Sequence, residues 1–167
     1  MLLKRMENCE SCLENLKKKY KIFQEKYFLP KFEELNDDFS IEKLADNETD
    51  FLLKEIRRFI SEKFSNYLRL IESIIHPINS PIFIFSIIKS LSQEDLENLK
   101  EVYKKLVKQE IKILKLDVLS SEKDEAEYIK DSFKVWDEIR NSILEIADKI
   151  EKNWDNKFEE NNKSYFG

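Results

Sequence analysis

Apolar side chains recur along this chain at steps of three and four, the spacing that gathers them on one face of an α-helix. The first run is Leu2, Met6, Cys9, Leu13, Leu16, Tyr20, Phe23 and Tyr27. A heptad seam sustained that far predicts a helix packed at a shallow angle along a long partner. Pro30 lacks an amide donor and crowds the preceding turn, so the helix is expected to bend or restart near Leu29. Residues 36–49 read as a connector with room for one short turn, and Phe39, Ile41 and Leu44 are placed to pin it across a bundle end.

A second helix after Thr49 carries Leu53, Ile56, Ile60, Phe64, Tyr67, Ile71 and Ile74, and Leu52, Phe59, Leu68 and Ile75 widen the stripe beyond a two-helix seam. Pro77 and Pro81 bracket a helix stop. Residues 82–88 are apolar nearly all round and read as a short buried helix, with an intermolecular strand as the rival reading. Ser92 and Asp95 stand at capping-box distance before a third long helix. Its core side is expected at Leu96, Leu99, Tyr103, Leu106, Ile113 and Leu114, and a second apolar flank runs through Val102, Val107, Ile111, Leu116, Val118 and Leu119. Ser121 and Asp124 repeat the cap before Ile129, Phe133, Trp136, Ile139, Ile143, Ala147, Ile150 and Trp154, a helix of about 34 residues and roughly 50 Å. The pattern predicts an all-α fold, an elongated antiparallel four-helix bundle with one or two short linking helices. Residues 1–154 form the expected single domain and 155–167 a frayed tail.

Composition narrows the function classes. The 167 residues include 1 Gly and 3 Pro, too few for hairpin turns, phosphate-cradling loops or a dinucleotide fingerprint. The 29 basic and 34 acidic residues give a net charge of −5, which disfavours a broad nucleic-acid footprint and leaves only local basic patches. No apolar stretch approaches a membrane span, and Lys4 and Arg5 lead into polar helix instead of a signal-peptide core, so a cytoplasmic chain without membrane attachment is expected.

The candidate chemistry is sparse. Cys9 and Cys12 have half a zinc-knuckle spacing, but the only other soft ligand is His76, so ordinary thiols are expected unless two chains share a metal. A carboxylate or metal-using enzyme would draw on Glu72, His76, Glu110 and Asp117, although no Glu-x-x-His pair is present. Glu110, on an apolar face, calls for a tyrosine partner such as Tyr20, Tyr67 or Tyr103, or for partial exposure. Nucleic-acid binding would rest on Lys17, Lys18, Lys19 and Lys21, on Arg57 and Arg58, or on Lys104, Lys105, Lys108, Lys112 and Lys115, of which 104, 108, 112 and 115 form a stripe roughly 16 Å long. No catalytic residue, cofactor or metal is assigned. The favoured expectation is a non-enzymatic assembly or protein-interaction module, a homo-oligomer in its simplest form. Its interface anchors would be Val107, Ile111 and Val118, with Lys108, Lys112 and Lys115 as rim or ligand contacts.

Overall fold

The computed structural model describes the backbone of residues 2–46, 49–78, 80–119 and 121–164, and the side chains of 11–46, 49–78, 80–119 and 121–154. Among these residues every regular element is helical. In chain order they are α1 (Leu2–Tyr27), α2 (Phe32–Phe39), a 3-10 turn (Ile41–Leu44), α3 (Leu52–Ile75), α4 (Ile82–Ile88), α5 (Gln93–Val118) and α6 (Glu122–Ser164). The protein is all-α. Clustering of the contacts divides it into two compact units, residues 1–64 with 109–135 and residues 65–108 with 136–167.

In the first unit, α1 stops at Tyr27 because Phe28 takes a left-handed conformation, φ 56°. The Leu29 amide then reaches back to the Gln24 carbonyl at 3.2 Å, the six-to-one bond of a Schellman motif, and Pro30 prevents resumption. The chain restarts at α2, where the Lys31 amide donates to the Glu34 carboxylate at 3.2 Å and so closes the first turn. Leu16 and Tyr20 of the heptad seam are buried, and the Tyr20 hydroxyl donates to the Pro30 carbonyl at 2.8 Å. The side chains of Leu2, Met6 and Cys9 lie outside the described residues.

The expected connector is shorter than its composition suggests. Residues 36–39 belong to α2, which ends at Ser40 in the left-handed region with its amide on the Asn36 carbonyl. Phe39, Ile41 and Leu44 are all buried, and the Phe39 ring meets Phe64 of α3 edge-on at 6.1 Å. Burying these three apolar side chains is what orders a segment rich in acids and amides.

In the second unit, Ile71, Ile74, Ile84, Leu99, Val102, Leu106, Trp136 and Ile139 are buried, and the Tyr67 and Trp136 rings lie 5.5 Å apart. The Ser92–Asp95 box forms in both directions: Asp95 accepts from the Ser92 amide at 2.9 Å, and the Asp95 amide donates to the Ser92 hydroxyl at 3.2 Å. Lys149 of α6 adds a charge-assisted bond to the same carboxylate. Hydrogen bonds and ion pairs show α5 and α6 antiparallel within each unit. Gln109 and Lys112 meet Ser132 and Asp131 in the first, and Asp95 and Lys105 meet Lys149 and Glu138 in the second.

Four expectations need correction. Residues 82–88 are helical, which settles helix against strand, but α4 is no buried plug. Of its side chains only Ile84 is fully enclosed, and Ile82, Phe83 and Phe85 are exposed, because a helix of two turns offers one narrow face to its neighbours. Leu114 is exposed, not core. It sits about 100° around α5 from Ile113, so only one of them can continue the buried series Leu99, Leu106, Ile113. Ala147 is likewise exposed while Ile146 is buried. Finally α6 runs 43 residues to Ser164, past the point at which its apolar period stops.

Candidate functional site

The turn between α5 and α6 carries a concavity of about 680 Å³. Ser121 caps α6 here, its hydroxyl accepting from the Asp124 amide at 3.2 Å. The cap turns the chain sharply, so the end of α5 and the first turns of α6 form the two walls. The α5 wall presents Ile111, Leu114 and Val118, with Leu119 beyond its end, and Tyr128 of α6 lines the other side. These four aliphatic side chains are 48%, 67%, 79% and 79% exposed in that order. Positions 111, 114 and 118 repeat at three and four, so they form one helix face distinct from the buried series. Apolar surface gathered in this way is unusual on an isolated soluble domain, where large apolar residues are scattered singly.

Charge is divided between the walls. Lys112 and Lys115 line the α5 side, Asp124 and Glu127 the α6 side. Lys112 is committed to Asp131 at 3.0 Å, and Asp124 to the Ser121 cap. Among the described residues Glu127 makes only a long, exposed contact with Lys123, 3.9 Å, and Lys115 forms no ion pair. Tyr128 is buried, and desolvation pushes its hydroxyl up to about 12. The Ser132 hydroxyl beside it and the Arg57 guanidinium act against that rise, and the Glu110 and Glu125 carboxylates act with it.

Behind Tyr128 lies the polar centre of this unit. Arg57 of α3 is buried, with Nε 2.8 Å from Glu125 Oε2 and Nη1 donating to Asp117 Oδ1 at 2.9 Å. The Arg57 side chain is 9% exposed and Glu125 4%, whereas Asp117 is 56% exposed. Arg57 therefore cannot serve as a surface cation for a phosphate backbone. Its charge is spent holding the C-terminal turn of α5 and the first turn of α6 against α3.

The structure distributes the candidate residues unevenly. Ile111, Val118, Lys112 and Lys115 meet at the groove, while Val107 is half-buried and Lys108 exposed in the other unit. Leu119 of the expected second flank also lies here, and Leu114, Asp124, Glu127 and Tyr128 belong to the groove and were missed. The 111, 114, 118 spacing was the available signal, obscured by reading Ile113 and Leu114 together as core. The lysine stripe is partly neutralised, Lys104 by Glu101 at 2.6 Å and Lys112 by Asp131.

The proposed metal set does not assemble. Glu72 accepts from the Tyr103 hydroxyl at 3.4 Å, His76 packs its ring against Tyr103, and Asp117 is held by Arg57. Glu110 is half-buried, the partial exposure expected of an acid on an apolar face, and its carboxylate helps to raise the Tyr128 hydroxyl. Among the described residues no group of three or more His, Cys, Asp or Glu could hold an ion. Cys12 is a half-buried free thiol, and the Cys9 side chain lies outside the described residues. Nor is any described helix long and apolar enough to cross a membrane. Comparison with protein-family models, curated proteins and solved structures finds no match for this chain.

Proposed function

We propose that this chain is a non-enzymatic helical interaction module that self-associates by burying the groove between α5 and α6. One observation carries the reading: Ile111, Leu114, Val118 and Leu119 are all exposed along a single strip beside a sizeable concavity. Full burial of such a side chain is worth about 1.5–3 kcal/mol, so water exerts a steady pressure to cover the strip. The walls are well fixed, by the Ser121 cap and by the Arg57 ion pairs behind them, so little ordering entropy is lost on docking. The same proposal takes the four long helices α1, α3, α5 and α6 as one antiparallel four-helix bundle whose role is to present this turn.

Sedimentation equilibrium of the full chain tests it. The wild type is expected to dimerise at micromolar concentration, and Leu114→Asp and Val118→Asp are expected to be monomeric with unchanged helical circular dichroism. A wild type that stays monomeric throughout, or a dimer indifferent to both substitutions, would refute the proposal.

A further inference from the structure

We infer that the occupant of the groove is a second copy of this chain, related by a two-fold axis running along the groove, with Lys115 of each copy facing Glu127 of the other. The inference rests on the self-association reading above and adds its geometry. A two-fold interface is isologous: the same patch serves both partners, so a self-complementary patch must carry each charge and its opposite. This groove does so. Its positive groups sit on the α5 wall and its negative groups on the α6 wall, with the apolar strip alongside.

The antiparallel pairing fixes the level of each group. Lys112 reaches Asp131 across the two helices, so three residues further along α5 the opposing position on α6 is three residues earlier, next to Glu127. A two-fold axis parallel to the helices lays the α5 wall of one copy on the α6 wall of the other at that same level. Lys115 and Glu127 then meet across the interface, and Leu114 and Val118 approach the partner's Tyr128 side. A two-fold axis perpendicular to the helices would instead set α5 against α5 and bring the Lys112 and Lys115 walls together. Charge therefore selects between the two arrangements.

The two groups are also the ones left available. Among the described residues Lys115 has no ion-pair partner and Glu127 has only its long exposed contact to Lys123. Neither takes part in the Ser121 cap, so each can be reversed without disturbing the turn.

The test is a charge swap read by sedimentation equilibrium. Lys115→Glu and Glu127→Lys should each weaken the homodimer about tenfold, since two attractions become two repulsions in a symmetric pair. Mixing the two variants should restore a heterodimer of near wild-type affinity, and the double variant K115E/E127K should restore the homodimer. Circular dichroism on each variant confirms that the helices persist. A mixture or a double variant that stays as weak as the singles overturns the register. If all charge variants dimerise like wild type while Leu114→Asp is monomeric, the cross-paired geometry is wrong and the groove reading survives. If Leu114→Asp also dimerises, both fall.

Discussion

The buried Arg57 and Glu125 pair gives the sharpest stability prediction. Desolvating two charges is expensive, and what repays it is their mutual attraction at 2.8 Å inside a low-dielectric region. Removing one partner leaves the other buried without its counter-charge, at about 3–5 kcal/mol. Glu125→Ala should fall at the lower end of that range, because Arg57 keeps Asp117, although that carboxylate is 56% exposed and so a weakly coupled partner. Arg57→Met should fall at the upper end, because it takes the cationic partner from a carboxylate that is only 4% exposed. Replacing both with apolar residues of similar volume removes the desolvation cost along with the attraction, so R57M/E125L should cost far less than the two single losses combined. Asp117→Asn should cost under about 1 kcal/mol. Urea titration followed by helical circular dichroism measures all four. Single losses below about 1 kcal/mol, or a double variant equal to the combined losses, would show that the pair is not electrostatically coupled in the interior.

Further outcomes follow from the same geometry. Burial raises Tyr128 from the ordinary 10.0 to about 12 and raises Tyr20 as well, so the unfolded chain loses these protons first. The contribution of Tyr128 to stability is complete below about pH 10 and is lost as the pH rises through about 12, and that of Tyr20 is lost at still higher pH. Tyrosinate absorbance should therefore develop late for these two groups and together with loss of helix, and early titration in the folded protein would contradict it. Asp95 is held at about 2 by the Lys149 ammonium and by the Ser92 amide and hydroxyl, against an ordinary 3.8. Its stabilisation is present above about 3.8 and disappears as the pH falls through about 2, and Asp95→Asn should flatten that acid limb of the stability curve. Ser92→Ala should cost about 0.5–2 kcal/mol by uncapping α5. Phe28→Gly should stabilise by up to about 1 kcal/mol in urea titration, since Phe28 is exposed and left-handed; a loss of stability would mean its ring packs in solution.

The helices were legible in the sequence wherever a wide stripe met a clear stop. Pro30, Pro77, Ser92 and Ser121 mark boundaries whose physics is local, and the bonds that form there are between neighbours in sequence. Which apolar residue faces inward was less legible. Ile113 and Leu114 are equally hydrophobic, and only the position of the surrounding helices decides which is covered. The same limit applied to α4, where composition reported apolarity but not the number of neighbours available to bury it. Half of the groove came from the repeating flank of α5. The α6 half did not, since Asp124, Glu127 and Tyr128 look like ordinary cap, surface and core positions until the turn brings them beside Lys115. Arg57 was the least legible residue. In sequence it sits beside Arg58 as one of two surface cations, and its partners lie in distant helices, Asp117 being 60 positions away.

That separation constrains how the protein is made. The first compact unit is assembled from two stretches, residues 1–64 and 109–135, so during synthesis its opening segment must wait while the intervening residues leave the ribosome. Until α6 begins to emerge, Arg57 has no Glu125 to neutralise it, and α3 exposes the face that will later be covered. The nascent chain therefore passes through a long interval with an unfinished, partly apolar intermediate, the state in which holding chaperones act and ribosome pausing has most effect. Slowing translation before Glu125 has left the ribosome should lengthen that exposure, and slowing it afterwards should not.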